Sequence, residues 1–130
     1  MGYNLLKGKR GIVFGALNEM SIAWKVAEQA HAEGAELVLT NTPVACRMGD
    51  MDALAAKTGA LIIPADATSV EDLENVFRGA MEHFGGKVDF VLHSIGMSLN
   101  VRKKRSYHDL DYLYLAKTLD ISAISFHKTL

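Results

Sequence analysis

Four short apolar runs, rich in β-branched residues, recur along the chain and are separated by segments with helical periodicity. This alternation is typical of β-α-β units, whose parallel strands are covered by helices on both faces. The runs predict strands over residues 11–14, 36–40, 60–63 and 88–92. Right-handed crossovers between them give the strand order 3-2-1-4 of a doubly wound, Rossmann-type α/β fold.

The first helix, predicted over residues 21–33, follows the first strand and ends before Gly34. Glycine at this position takes the left-handed conformation that commonly terminates a helix. Apolar residues recur at three- and four-residue spacing, which places one face of the helix against the sheet. The predicted buried face comprises Ile22, Val26, Ala27 and Ala30.

Three further helices are predicted over residues 50–57, after residue 69 and over residues 110–130. The helix after residue 69 starts with Ser69-x-x-Asp72, a capping box, and ends at Gly85. The last helix is apolar around more than one face. We therefore expect it to pack against two partners, such as the sheet and a second subunit.

Charge and composition exclude several classes of function. Lys and Arg number 14 and Asp and Glu number 15, interspersed, so a basic surface for nucleic acid is not predicted. The single cysteine, Cys46, excludes an intrachain disulfide, and the N-terminus lacks the apolar run of a signal peptide, which together predict a cytoplasmic protein outside the membrane. No His or Cys pair has the spacing of metal ligands, so no metal site is predicted.

The turn after the first strand predicts a phosphate site. It reads Gly15-Ala-Leu-Asn-Glu-Met-Ser21-Ile22-Ala23. A glycine lets the backbone approach a pyrophosphate, and free amides at the start of the helix, together with the Ser21 hydroxyl, would bind its negative charge. Because the spacing is not G-x-G-x-x-G, an ordinary βα turn with a serine N-cap is the alternative.

Ligands of this fold lie across the carboxyl edge of the sheet, so the other strand ends are further candidates. After the third strand, the Asp66 carboxylate and the Ala67 N–H could bracket the polar edge of an adenine, or Asp66 could cap a turn. After the fourth strand, small residues in His93-Ser94-Ile95-Gly96 would let a ribose and a nicotinamide pass close to the backbone. The alternative for Gly96 is a simple turn glycine.

The end of the second strand leaves NADH and NADPH both open. NAD-binding units usually have an acidic residue about 20 positions after the glycines, but this chain reads Thr40-Asn-Thr-Pro43 there. Thr42 could contact the adenosine, and Arg47 could meet a 2′-phosphate.

Three of these motifs together closely resemble those of the bacterial NADH-dependent enoyl-acyl-carrier-protein reductases, a divergent branch of the short-chain dehydrogenases. The motifs are Gly15-x₅-Ser21-Ile22-Ala23, the Asp66-Ala67 pair and His93-Ser94-Ile95-Gly96. Ordinary members of the superfamily carry T-G-x-x-x-G-x-G and N-A-G at two of these places. The similarity continues through residues 120–126, and the whole chain corresponds to about half of a family member.

The resemblance implies reduction of the trans-2 double bond of an acyl chain on acyl carrier protein, in type II fatty acid biosynthesis, with NADH as cofactor. It further implies a homotetramer that takes acyl carrier protein as its partner, with Ser98 bordering the acyl substrate. Dinucleotide contacts are implied at Gly15, Ser21, Ile22, Thr42, Asp66, Ala67 and Ile95.

The catalytic pair of the family, arranged as Tyr-x₆-Lys, is absent from this sequence. In the family this pair lies beyond the position of Leu130, so we assign no catalytic residue and expect this segment alone to be inactive. The fourth strand would also lie at an open, apolar edge, which soluble proteins avoid. We therefore expect residues 1–130 to be the N-terminal part of a single NAD(P)-binding domain with a larger sheet.

Two other functions stay open. One is a different short-chain reductase acting on a ketone or an enone, and the other is a non-catalytic dinucleotide-binding module. The run Arg102-Lys-Lys-Arg105 is interpreted as a solvated loop. Its sharper interpretation is attraction of the acidic acyl carrier protein, because exposed cations raise encounter rates with anions.

Overall fold

A computed structural model describes residues 2–130 and contains one sheet of four parallel strands. β1 (Arg10–Phe14) lies between β2 (Glu36–Thr40) and β4 (Phe90–His93), and β3 (Leu61–Ile62) pairs with the far side of β2. The observed order β3-β2-β1-β4 confirms the predicted 3-2-1-4 half-sheet. Both β3 and β4 are shorter than predicted, and β4 continues to His93, one residue beyond its predicted end.

Helices cover both faces of this sheet. On one face, α1 (Ile22–Ala32) and α3 (Met51–Thr58) pack against β1 and β2, and on the other α4 (Val70–Phe84) does so. Alternate residues of the strands enter the two apolar clusters, since Val13 and Leu39 belong to one and Ile12 and Val38 to the other. The continuous apolar runs therefore reflect burial on both faces.

The predicted buried face of α1 is partly wrong. Ala27 and Ala30 are buried as expected, but Ile22 is 74% exposed and Val26 is 36% exposed. Ala23 and Trp24 are buried instead. Alanines let the helix lie close to the sheet, and the Trp24 indole satisfies its N–H by donating to Glu28 at 3.1 Å. Gly34, with φ of +94°, follows the helix as predicted.

Two short helices were not predicted, because each is too short to show an apolar period. α2 (Pro43–Met48) and α5 (Leu99–Arg102) both begin at a side-chain cap. Thr42 Oγ1 accepts from the Ala45 N–H at 3.2 Å, and Ser98 Oγ accepts from the Val101 N–H at 3.3 Å. The predicted helix 50–57 corresponds to α3 within one residue.

The capping box before α4 forms in one direction only. Ser69 Oγ accepts from the Asp72 N–H at 3.2 Å, as predicted. The Asp72 carboxylate does not return to Ser69, and its Oδ2 accepts from the Asp66 N–H at 2.9 Å. It therefore holds the loop that follows β3.

The last helical stretch, predicted as one helix over 110–130, is helical without a break over 112–128, but its winding changes within it. It consists of α6 (Tyr112–Leu119), a π-helical turn over Asp120–Ile124, and α7 (Ser125–Lys128), and a short 3₁₀ turn at Tyr107–Asp109 precedes it. Its apolar residues are spread around the helix, and Leu113, Leu119, Ile124 and Phe126 are 49% exposed or more. Within residues 2–130, no helix has both the length and the apolar character that a membrane crossing requires.

Candidate functional site

The loops after all four strands open into one cleft of about 430 Å³ at the carboxyl edge of the sheet. This size and position are typical of ligand sites in doubly wound folds. The residues that line it are Gly15, Leu17, Asn41, Thr42, Ala45, Asp66, Thr68, Ser94, Ile95, Gly96, Met97, Arg102, Lys117 and Ile121.

Gly15 is required where β1 leaves the sheet. Its φ of +100° disfavours any side chain, and a Cβ built on it would lie 2.0 Å from the Ser94 carbonyl oxygen. Its N–H donates to the Thr40 carbonyl at 3.1 Å. The glycine was expected to make room for phosphate, and the close approach of neighbouring strand ends is a second reason for it.

Ser21 closes the turn on itself. Its Oγ accepts from the Leu17 and Asn18 N–H groups at 3.1 and 3.3 Å and donates to the Asn18 carbonyl at 2.5 Å. This differs from both sequence interpretations, since the hydroxyl neither faces outward as a donor nor caps an amide of α1.

The first amides of α1 remain available. Within residues 2–130, the N–H groups of Ile22 and Ala23 have no hydrogen-bond acceptor. The first amides of a helix lack intrahelical partners and carry the positive end of its dipole. Ala23 is fully buried and Ile22 is 74% exposed, so the tight turn held by Ser21 presents the Ile22 N–H as a donor suited to an anion.

The loop after β2 is tied to the loop after β1 by Asn41, which the sequence interpretation missed. Its Nδ2 donates to the Ala16 carbonyl at 2.8 Å, and its Oδ1 accepts from the Thr42 N–H at 2.8 Å. Thr42 lines the cleft with its hydroxyl proton free to be donated, whereas Arg47 does not line it. A polar residue directly after a buried strand was the available signal for Asn41.

Asp66 caps a turn and also lines the cleft. Its Oδ1 accepts from the Thr68 N–H at 2.9 Å and the Thr68 hydroxyl at 2.7 Å, and these bonds lower the pKa of the Asp66 carboxyl. Among the described residues, no donor reaches its Oδ2, and no acceptor binds the Ala67 N–H. An acceptor and a donor on adjacent residues thus remain unused.

Gly96 lies in the cleft without a structural requirement for glycine. Its φ lies outside the left-handed region, and a Cβ built on it would meet no atom within 4 Å. Residues 94–98 form neither a turn nor a bend, so the turn-glycine interpretation is wrong. The missing side chain leaves the cleft open beside Ile95 and Met97.

Two serines of the last helix hold the loop after β4. Ser122 Oγ accepts from the Met97 N–H at 3.0 Å and donates to the Met97 carbonyl at 3.3 Å. Ser125, fully buried, donates to the Ile121 carbonyl, so it accepts the His93 Nε2 proton at 2.8 Å. Both serines lie within residues 120–126, where the sequence resemblance continues, but the sequence interpretation assigned neither of them a role.

A family model described as enoyl-(acyl carrier protein) reductase matches residues 15–130. This chain belongs to the enoyl-(acyl carrier protein) reductase family. It is 37% identical over 123 residues to enoyl-[acyl-carrier-protein] reductase [NADH] 1 of Rhizobium meliloti, which covers 94% of this chain and 44% of that protein.

Solved structures of the same family are also similar. The FabI-NADH complex from Alistipes finegoldii is 72% identical with a TM-score of 0.96, covering 98% of this chain and 45% of that one. The reductase from Anaplasma phagocytophilum in complex with NAD is 30% identical with a TM-score of 0.86, covering 99% and 49%. This chain spans about half the length of the relatives that it matches.

Not all residues that the reductase motifs point to reach the cleft. Gly15, Thr42, Asp66 and Ile95 line it, whereas Ser21, Ile22, Ala67 and Ser98 do not. Ser98 caps α5 instead. Ser21, Ile22 and Ala67 lie directly beside cleft residues or free amides. A dinucleotide contact through their backbone groups therefore stays a prediction.

The basic run is not a uniform solvated loop. Arg102 ends α5 and lines the cleft, and Arg105 pairs with Asp109 at 3.3 Å. The Lys103 ammonium lies 5.9 Å from the centre of the Tyr114 ring. Lys104 has a left-handed backbone at φ of +56° and is exposed.

Proposed function

We propose that this chain forms the cofactor-binding half of an NADH-dependent enoyl-acyl-carrier-protein reductase. The observation that carries the proposal is the cleft into which the loops after all four strands open, in a chain that belongs to this family. The reaction is reduction of the trans-2 double bond of an acyl chain on acyl carrier protein, in type II fatty acid biosynthesis.

The donors and acceptors in the cleft and directly beside it fit a dinucleotide in one orientation. The free amide of Ile22, presented by the turn from Gly15 to Ser21, suits a pyrophosphate. The Asp66 carboxylate and the Ala67 N–H suit the amino group and the ring nitrogen of adenine.

The remaining contacts follow from the same orientation of the dinucleotide in the cleft. Thr42 is proposed to bind the adenosine ribose, and Ile95 and Gly96 to border the nicotinamide. Ser98 is proposed to border the acyl substrate. No carboxylate lies among the cleft residues that follow β2, so the pocket would also admit NADPH.

When bound, NADH would supply the hydride that adds to C3 of the acyl chain. The residues described above would bind and orient the dinucleotide, and they include no Tyr-x₆-Lys pair. We propose that the tyrosine and lysine come from residues outside 1–130. Within residues 2–130, β4 is an edge strand that pairs with β1 on one side only, which suits pairing with further strands of one domain.

We also propose a cytoplasmic homotetramer that recognises acyl carrier protein. The exposed apolar side chains of residues 112–130 suit burial between subunits. Lys103 and Lys104, exposed beside the cleft, suit an acidic partner. Reversing both charges should slow association with acyl carrier protein at low salt, and unchanged rates would contradict this role.

The function is tested by NADH titration and by turnover of a crotonyl thioester with the complete protein. We expect micromolar-range binding and loss of NADH absorbance that depends on the thioester. Binding without turnover would favour a non-catalytic module. Turnover of a ketone in place of the thioester would favour a different short-chain reductase.

A further inference from the structure

Lys128, at the end of α7, makes two directed contacts although it is a lysine near the surface. Its Nζ donates to the Thr68 carbonyl at 2.9 Å and to Asp120 Oδ1 at 2.9 Å, and its side chain is only 26% exposed. Lysine loses considerable side-chain freedom when it is fixed, and it is usually left solvated. These two contacts join segments 60 residues apart in sequence.

The contact with Thr68 reaches the turn that carries Asp66. The Thr68 N–H and hydroxyl both bind Asp66 Oδ1, at 2.9 and 2.7 Å, so Thr68 fixes the carboxylate. The Asp66 N–H is held by Asp72 from α4. Lys128, from α7, binds the Thr68 carbonyl of the same short turn.

We propose that Lys128 is a positioning residue for the adenine end of the cleft. By holding the Thr68 carbonyl, it keeps the Asp66 carboxylate and the Ala67 N–H in place to distinguish adenine from other bases. This inference rests on the proposed function, because it assigns a role within the dinucleotide cleft.

The helix that carries Lys128 also holds the other end of the cleft. Ser122, one turn and a half earlier, binds both backbone groups of Met97. Asp120, which starts the π-helical turn, accepts from Lys128 and so fixes the direction of its side chain. One helical stretch therefore sets the positions of two loops that line the cleft.

The test compares NADH with deaminated NADH, in which hypoxanthine replaces adenine. Hypoxanthine presents a carbonyl and an N–H where adenine presents an amino group and a ring acceptor, so it mismatches Asp66 and Ala67. We expect Lys128→Met in the complete protein to weaken NADH binding about tenfold, as expected for loss of a charged hydrogen bond. The preference for NADH over deaminated NADH should shrink by a similar factor, with kcat at saturating NADH unchanged.

Two further variants separate positioning from general stability. Lys57→Met removes an ammonium that lies 2.6 Å from Glu28, and because neither residue lines the cleft it should leave the preference unchanged. Lys128→Arg keeps donors near Thr68 and Asp120 and should restore part of the preference. Melting temperatures of all variants, measured without nucleotide, report stability separately.

Equal weakening of both dinucleotides by Lys128→Met, or an unchanged preference, would overturn the inference. A wild-type protein that binds both dinucleotides equally would overturn it as well, because adenine would not be read at Asp66. A wild-type protein that binds neither would instead contradict the proposed function.

Discussion

Residues 10–84 and residues 99–130 are held together by different forces. Within the described residues, every buried hydrophobic side chain lies between Ile12 and Phe84. In residues 99–130 the buried side chains are polar, namely Asn100, Ser125 and Thr129, and each makes hydrogen bonds. The first region is stabilised by apolar burial, and the second is attached by individual polar contacts.

This difference has a consequence for the cleft, because both regions contribute to it. The β-strand ends that supply Gly15 and Asn41 belong to the apolar core, whereas Met97 and Thr68 are held by Ser122 and Lys128 of the second region. An apolar core tolerates small rearrangements of its side chains, but a buried hydrogen bond loses most of its strength when its geometry changes slightly. Changes in the second region should therefore affect ligand binding more than stability.

The largest effect on stability is expected in the apolar core. Leu39 on β2 is fully buried, so Leu39→Ala should lower the free energy of unfolding by about 2–5 kcal/mol. Leu113→Ala is the matched control, because Leu113 is 82% exposed and should cost less than about 0.5 kcal/mol in a monomer. Urea unfolding measures both. A large effect of Leu113→Ala would mean that a partner covers the last helix.

The second effect tests the polar contacts within residues 99–130. Asn100, 4% exposed, donates to the Asp111 carbonyl at 3.2 Å and accepts from the Asp111 N–H at 3.0 Å. Asn100→Leu would leave the Asp111 N–H unpaired and should cost about 1–3 kcal/mol, although the Asp111 carbonyl would keep the Leu115 N–H at 3.0 Å. Hydrogen exchange should show faster exchange in residues 99–130 than in the sheet. Uniform loss of protection would mean that the two regions unfold as one.

The sequence predicted the first region better than the second for the same reason. Apolar periodicity predicted the strands, and hence their order, together with α3 and α4, because burial imposes that periodicity. α2 and α5 begin at single capping side chains, Thr42 and Ser98, which leave no repeating pattern. For the site, motifs pointed to Gly15 and Asp66, but Asn41 and Ser122 act through backbone groups that only the fold brings near.

A smaller effect on affinity is expected at Gly96. Since a Cβ there meets no protein atom within 4 Å, Gly96→Ala should change stability by less than about 0.5 kcal/mol. If a nucleotide passes close to this backbone, the same change should weaken NADH binding about tenfold. Gly15→Ala serves as the contrast, because its Cβ would clash with Ser94 and it should lose stability first. Unchanged affinity in Gly96→Ala would place the nicotinamide elsewhere.

The smallest effect concerns a polar link inside the first region. Glu28 of α1 accepts from Lys57 of α3 at 2.6 Å and from the Trp24 indole, and these bonds lower its pKa from 4.5 to about 2. Because the folded pKa lies below the unfolded one, this link stabilises the fold above about pH 4.5, and its contribution disappears as pH falls toward 2.

Glu28→Gln should therefore be slightly less stable than wild type at pH 7, and the gap should close as urea unfolding is repeated at pH 4 and pH 3. Glu74→Gln, at an exposed position on α4, is the matched control and should show no such convergence. A gap that stays constant with pH would show that Glu28 acts through packing. The loss of stability in Glu28→Gln should then resemble that of a small substitution in the core. The contrast between residues 10–84, held by apolar packing, and residues 99–130, held by polar contacts, would become sharper.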